Sequence, residues 1–502
     1  MTLALARPDD ARLPLVALIA SSAVLLATRL FAAGHVGFGD SEALYASYAL
    51  HPQPAYLDHP GLVGLVARLL GGGTAPSPLR AHLVTAVLAT TFPWVLAVAC
   101  RASGSTWRRA FAGALVAALA PEIAVGLFAL TPDLLVSLAW TGAIGLAAFA
   151  LTAAPGSGRA SLAFAGAGLL AGIAAASKVT GLALFGALAV TYASRTARTH
   201  GRTIAPWAGL AAGAVVLVPI VAFEADTGWP MLRHRLIETQ SGAGLTLRNA
   251  GALVGGQLVY LSPLVAVLAA LAAREAWRGR RDAIGQLLWS CFVVPAAVLV
   301  PLCLWSRVAE PHWLAPAFIA LVPAAARASH APSRRFVTAA CSVAAAMVAA
   351  VHAWVLVPGA IALAPASYDP RLDLSNELQG WPEAVAAVRE EVARASLGGP
   401  GAGDSELAVV GPHWVICAQL EAALRDEVPV GCDTPVADDF DTWWPRIRWN
   451  YADLVVWVDD GRFGPPVLPS HAPLRRREVR IERAGRPMRV FTITLLGRRA
   501  QA

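Results

Sequence analysis

Eleven apolar runs, each long enough to call for a helix, fill the first 365 residues of this 502-residue chain. A segment that crosses the ~30 Å hydrocarbon core of a bilayer needs about 20 apolar residues, and it must be helical so that its backbone bonds to itself. The runs lie at 14–34, 80–100, 110–130, 132–153, 161–177, 179–194, 204–223, 251–273, 284–304, 313–327 and 336–358. Several contain proline (Pro93, Pro121, Pro219, Pro263, Pro295), which neighbouring helices in a bundle tolerate. The pattern predicts a mainly α, polytopic membrane bundle of about eleven spans.

Arginine orients the bundle. Arg7 and Arg12 precede the first run; Arg101, Arg108 and Arg109 follow the second; Arg159 follows the fourth; Arg195, Arg198 and Arg202 follow the sixth. Arg274, Arg278, Arg280 and Arg281 follow the eighth, and Arg327, Arg334 and Arg335 follow the tenth. In an eleven-span alternation all of these fall on one side, which the positive-inside rule makes cytoplasmic. An odd count then places everything after residue 365 outside. The first run has no small-residue cleavage site soon after it, so no cleaved signal peptide is expected. The expected location is a bacterial-type plasma (inner) membrane.

Composition divides the chain at the same place. Residues 1–365 carry 37 charges, whereas 366–502 carry 36 in far fewer positions, a density typical of a water-exposed domain. The overall 15% charged and 56% hydrophobic content excludes both an ordinary cytosolic enzyme and a disordered chain. The basic balance does not indicate nucleic acid, since the excess arginine sits in short loops between apolar runs. Two domains are expected: a membrane domain over 1–365 and an extracytoplasmic α/β domain over 366–502. In the latter, helical spacing covers Trp381–Ala395 and Trp414–Leu424, strands cover 407–410 and 453–458, and a hairpin joins 479–481 to 490–496. Cys100, Cys291, Cys303 and Cys341 lie in or beside apolar runs as small hydrophobes. Cys417 and Cys432 lack metal-type spacing, and a disulfide between them is open if the domain is external. No metal site and no cofactor are expected.

The polar residues carry the chemistry. The first outer loop holds Asp40, Glu42, Asp58 and His59 within twenty residues, interleaved with Tyr45, Tyr48 and Tyr56. Each carboxylate has a bland reading as a solvated loop residue, but carboxylates beside apolar surface are also candidate bases. Asp133, after Thr131-Pro132, reads equally as a helix N-terminal acid or as a ligand-binding one. Lys178 is the only lysine beside 39 arginines. Charge alone would be met by arginine, so a compact ammonium at an outer turn points to a phosphate contact. Arg233, Arg235, Arg248 and Arg307 break the positive-inside pattern, which suggests an anionic ligand, although a solvated loop explains them too. His312 follows Glu310-Pro311 and precedes Trp313 at the membrane edge. Glu122, beside Pro121, is an acid within an apolar run and has no assigned purpose.

Asp40-Ser41-Glu42-Ala-Leu-Tyr45 followed by Tyr56-Leu-Asp58-His59-Pro60 resembles the first outer loop of the dolichyl-phosphate-mannose protein mannosyltransferase-like family, which includes the bacterial aminoarabinose lipid A transferases. Thr131-Pro-Asp133, Ser177-Lys178-Val-Thr180, Gly256-Gln257 to Pro263, and His312-Trp313 match in the same order. The resemblance implies a GT-C fold, a polyprenyl-phosphate-linked sugar donor, an extracytoplasmic acceptor, inversion at the anomeric carbon and an acidic base in the first loop. That base is Asp40 or Glu42. The family's adjacent Asp-Glu is replaced here by Ser41-Glu42, and the second proline of its His-Pro-Pro by Gly61. Lys178 is expected to hold the lipid phosphate, assisted by Arg233, Arg235, Arg248 or Arg307, while Asp58, His59, Asp133 and His312 line the substrate site. The rival reading is a transporter or flippase of lipid-linked sugars. It is weakened by the lack of a visible internal repeat and by charges that cluster in outer loops.

Overall fold

A computed structural model describes residues 11–499 except 309, 331, 399–405, 465 and 467. Arg7 lies outside the described residues.

Each of the eleven apolar runs is helical, but they are not eleven straight spans. Among the described residues six helices are long and apolar enough to cross a membrane: Arg12–Ala33, Pro78–Ala102, Pro132–Thr152, Gly158–Ser177, Ala283–Trp305 and Arg334–Leu356. Three further runs are bent pairs, Trp107–Leu119 with Pro121–Phe128 (76°), Ala205–Val215 with Val218–Thr227 (48°) and Leu247–Tyr260 with Pro263–Gly279 (102°). The runs at 179–194 and 313–327 form shorter helices, Leu182–Ala193 and Ala315–Arg327.

Proline explains most of the difference. Pro93, Pro295 and Pro323 stay inside helices. Pro121 instead ends one: Ala120, just before it, takes an extended conformation (φ −62°, ψ 132°), as residues preceding proline favour. The break frees carbonyls that lipid would leave unpaired. Arg29, buried in the first helix, donates to the carbonyls of Ile123 and Ala124 at 2.9 Å each and to Thr90 Oγ1 at 3.0 Å. A buried cation near the end of the first helix is thus the bonding partner of a broken neighbour.

The arginine-bearing loops meet at one end of the bundle. Arg109 donates to the Ala328 carbonyl at 2.5 Å, and Arg327 pairs with Asp282 at 3.2 Å. The helix Pro132–Thr152 starts at the opposite end, about 30 Å away by helical rise.

The C-terminal domain is a five-stranded mixed sheet: β1 (Leu407–Gly411), β2 (Val430–Cys432), β3 (Leu454–Asp459), β4 (His471–Arg483) and β5 (Arg486–Arg498), in the order β2-β1-β3-β5-β4. β1 runs parallel to β2 and β3, while β5 runs antiparallel to β3 and β4. Helices Trp381–Gly398 and Trp414–Leu424 occupy the expected positions. β2 is too short to leave a sequence period. β4 carries charge on both faces, with Arg475 and Arg477 paired to Glu391 and Glu390 and Arg476 to Glu478, so its length is hidden from an apolar pattern. Cys417 and Cys432 are disulfide-bonded, with Cα atoms 5.8 Å apart.

The first outer loop packs into this domain. Phe38, Leu44, Tyr48 and Tyr56 share one buried cluster with Trp381, Ile416, Leu420 and Phe491. Gly37 N–H bonds the Leu378 carbonyl at 2.8 Å, and the Gln419 amide bonds the Phe38 carbonyl at 2.8 Å.

Candidate functional site

Several elements bring charge to the end of the bundle opposite the arginine loops. Pro132 opens its helix at a position where proline costs no hydrogen bond, and Asp133 sits in the first turn, where a negative charge suits the helix dipole. The helix Gly158–Ser177 stops at Lys178, whose backbone is extended (φ −150°, ψ 138°). The chain then turns tightly through Val179–Gly181. A Cβ at Gly181 would lie 2.3 Å from the Ala174 backbone, so only glycine lets the turn fold back on its own helix.

The Lys178 ammonium donates to both carboxylate oxygens of Asp133, at 2.7 and 2.9 Å, and is itself buried. It lies 5.6 Å from the ring centre of Trp313. His312 Nε2 is 4.0 Å from Asp133 Oδ2, and its Nδ1 is 3.0 Å from Glu310. That bond holds the Glu310 carboxyl below its usual range. The side chain of Arg235 reaches Asp58 Oδ1 at 3.1 Å and His59 Nε2 at 3.5 Å, with its guanidinium 5.9 Å from the centre of Trp313. His234 stands 3.8 Å from Asp58. His59 is buried. Burial, reinforced by the cations of Arg235 and Lys178, pushes its pKa well below the ordinary histidine value and keeps the ring neutral. Tyr45 stacks edge-on with His59, centroids 5.4 Å apart.

Six of the eleven expected residues therefore gather in one group: Asp58, His59, Asp133, Lys178, Arg235 and His312. Trp313 forms a shared wall. Arg233 is exposed and faces Glu238 at 3.9 Å. Arg248 is exposed on the first turn of Leu247–Tyr260, and the exposed Arg307 bonds the Ser241 carbonyl at 3.0 Å.

Asp40 and Glu42 lie on a helix, Asp40–Ser47, whose Tyr45 borders the group, but neither pairs with Lys178. Glu42 is saturated. Its Oε2 accepts from Gly39 N–H at 3.0 Å; its Oε1 accepts from Leu130 N–H at 2.6 Å and lies 3.0 Å from His82 Nε2. The carboxylate thus clamps the first-loop helix to the strand of chain that delivers Asp133. Asp40 is buried, and its Oδ2 accepts from Arg462 Nη1 at 2.8 Å. Its Oδ1 makes no hydrogen bond to a described residue. Burial raises the Asp40 pKa, against the opposing pull of Arg462, Arg489 and Gln419.

Gly61, where the family pattern has proline, has its own reason. A Cβ there would fall 2.3 Å from the Gln53 carbonyl oxygen, and its N–H bonds the Pro54 carbonyl at 2.8 Å. The loop closes on its own backbone at this point.

Sequence reasoning missed Arg462 and Glu377, which flank Asp40 from the C-terminal domain. Only the run Asp459-Asp460-Gly461-Arg462, at the end of a strand, hinted at a charged functional loop. Between the helices a cavity of about 670 Å³, walled by Phe92, Leu96, Val265 and Phe318, reaches from Glu122 to Arg109, Arg274 and Arg278 at the arginine-loop end, and none of the gathered site residues lines it.

No family model and no curated protein matches the chain. Among solved structures, it is similar to ArnT from Cupriavidus metallidurans bound to undecaprenyl phosphate, with TM-score 0.61 and 18% identity over 95% of this chain and 97% of that one. The apo state of the same protein gives TM-score 0.59 and 17% identity, with the same coverage. The oligosaccharyltransferase of Archaeoglobus fulgidus, tethered to an acceptor peptide, gives TM-score 0.53 and 12% identity over 89% of this chain and 69% of that one. The chain has the fold of these proteins, a helix bundle with a small C-terminal sheet domain.

Proposed function

We propose that this protein is a membrane glycosyltransferase that moves a sugar from a polyprenyl-phosphate donor to an extracytoplasmic acceptor, with inversion at the anomeric carbon. What carries the reading is the gathering of Lys178, Arg235 and His312 with Asp58 and Asp133 at one end of a fold shared along nearly its whole length with a protein captured holding undecaprenyl phosphate.

The donor phosphate sits against Lys178 and Arg235, with Trp313 shielding both cations from water. Fixed cations stabilise the charge that develops on the departing phosphate, a contribution that grows where water is excluded. Asp58 and Asp133 hold these cations in place, and neutral His59 offers a hydrogen bond to the sugar. The apolar cavity between the helices gives room for isoprenoid units. The base is Asp40, because its Oδ1 is free whereas Glu42 is fully engaged. Its carboxylate takes the acceptor proton as the acceptor oxygen or nitrogen bonds the anomeric carbon. The bond to the phosphate breaks on the opposite face, and the phosphate leaves with the electron pair.

The Cys417–Cys432 disulfide supports an oxidising, extracytoplasmic location for the C-terminal domain. A flippase fits less well, since the charges gather at helix ends rather than at mid-membrane.

The test is incubation of purified protein with undecaprenyl phosphate linked to mannose, glucose, N-acetylgalactosamine or aminoarabinose, in the presence of envelope lipids and glycans. Release of free undecaprenyl phosphate that depends on those acceptors supports transfer. Passage of the intact donor across a vesicle, with no cleavage, overturns it.

A further inference from the structure

Asp40 is held from outside its own domain. Arg462 lies on the loop after β3, 422 residues away in sequence, and places Nη1 2.8 Å from Asp40 Oδ2. That loop is braced. Arg462 Nε bonds Asp460 Oδ2 at 2.8 Å, and Asp460, fully buried, also bonds the guanidinium of Arg489 on β5. Glu377, on the segment entering the C-terminal domain, stands 4.0 Å from Arg462. The ring of Phe463, next in the chain, stacks on His413 at 4.4 Å.

Two polar atoms in this seam are buried without a hydrogen bond to a described residue: Asp40 Oδ1 and Arg462 Nη2. Most buried polar atoms find a partner, and one that does not calls for an explanation. Here one such atom comes from the membrane domain and the other from the sheet domain, on two side chains already bonded to each other.

We propose that Arg462 is a positioning residue for the transfer reaction. It fixes Asp40 through Oδ2 and leaves Oδ1 as the oxygen that receives the acceptor's proton, while its own Nη2 offers a donor to a second oxygen of the acceptor. The C-terminal domain is then part of the catalytic unit, and the acceptor it suits carries a second hydrogen-bond-accepting or anionic oxygen beside its nucleophile. This rests on the transferase reading with Asp40 as base.

A cation beside a carboxylate lowers its pKa by about 1–3 units. The other groups facing this pair are Glu377, Asp459, Asp460, Arg489, His413 and Gln419. Of these, Gln419 also reaches the Asp40 carboxyl, but its amide is neutral and does not replace the charge of Arg462. Loss of the guanidinium therefore moves the protonation of Asp40 to higher pH.

The experiment uses the full chain in detergent or liposomes and follows release of undecaprenyl phosphate from the donor panel between pH 5 and pH 9. The variants are Arg462→Gln, Arg462→Lys, Asp40→Asn, and Asp40→Asn with Arg462→Gln. The expected result for Arg462→Gln is an acid limb of kcat moved up by about one pH unit or more, with the donor KM within about twofold of wild type. Arg462→Lys, which keeps the charge, restores at least half of that displacement, and Arg462→Gln adds nothing in the Asp40→Asn background. An Arg462→Gln protein that is slower at every pH, with its acid limb unmoved, overturns the inference and leaves Arg462 a structural tie; should that variant fail to fold, Arg462→Met, which keeps the packed stem and removes the charge, is read by the same criterion. A wild-type protein that turns over none of the donors overturns the transferase reading and this inference together; an Asp40→Asn protein as active as wild type overturns Asp40 as the base, and this inference with it, and leaves the transferase reading standing.

Discussion

Lys178 and Asp133 form a two-pronged ion pair, 2.7 and 2.9 Å, between the ends of two neighbouring membrane helices. The solitary lysine of the chain thus meets a carboxylate from the first turn of Pro132–Thr152 and not one from the loop that holds Asp40 and Glu42. Removing one partner of a buried pair leaves a charge uncompensated, which costs about 3–5 kcal/mol when burial is complete. Asp133 is 25% exposed, so Asp133→Ala should cost nearer to about 2 kcal/mol. Thermal unfolding in detergent should show this loss, and Asp133→Ala with Lys178→Met should cost less than Asp133→Ala alone.

Lys178→Arg keeps the charge but brings a broad, forked cation into a site closed by Trp313. We expect kcat for donor cleavage to fall about 100-fold, the scale for losing one fixed contact to a developing anion. Activity within threefold of wild type would remove Lys178 from the phosphate site.

Glu42 and Asp40 should separate fold from chemistry. Glu42→Gln loses an acceptor for Leu130 N–H or Gly39 N–H and should lower stability by about 1–3 kcal/mol. Asp40→Asn leaves Arg462 its bond to Asp460 and should stay folded, while transfer falls by about 100-fold or more. Melting curves and donor turnover on the same preparations decide between them.

Asp439 ties the first loop to the sheet domain. It accepts from Tyr48 Oη at 3.1 Å and from Leu57 N–H at 3.0 Å, and burial raises its pKa from 3.8 to about 7. The folded state thus holds this proton more tightly than the unfolded one. The stabilisation is complete below about pH 4 and is lost as pH rises through about 7. Proteolysis or hydrogen exchange of residues 48–57 should accelerate over that window, and Asp439→Asn should flatten the dependence.

The Cys417–Cys432 bond closes a loop of 15 residues, worth about 3 kcal/mol in chain entropy. Cys417→Ser with Cys432→Ser should lower the melting temperature of the C-terminal domain. The wild-type protein from native membranes should bind no thiol reagent at either position until it is reduced.

Much of this was legible in the chain itself. Apolar length fixes helices at every one of the eleven runs, because a backbone in lipid has no other way to satisfy its bonds. Of the positions that broke local rules, the fold gathers Lys178, Arg235 and His312 and leaves Arg233, Arg248 and Arg307 apart. What stayed hidden was partnership. Pro93 is absorbed into a helix while Pro121 ends one, and the difference includes Arg29, which supplies the bonds that a break at Pro121 requires. Glu42 and Asp40 read alike as loop acids two residues apart. Packing spends one on three hydrogen bonds and leaves the other with a free oxygen beside Arg462. Periodicity and charge bias are sums over neighbours in sequence and so survive in the chain alone. An ion pair across 422 residues depends on how two domains dock, and only the tertiary structure sets that.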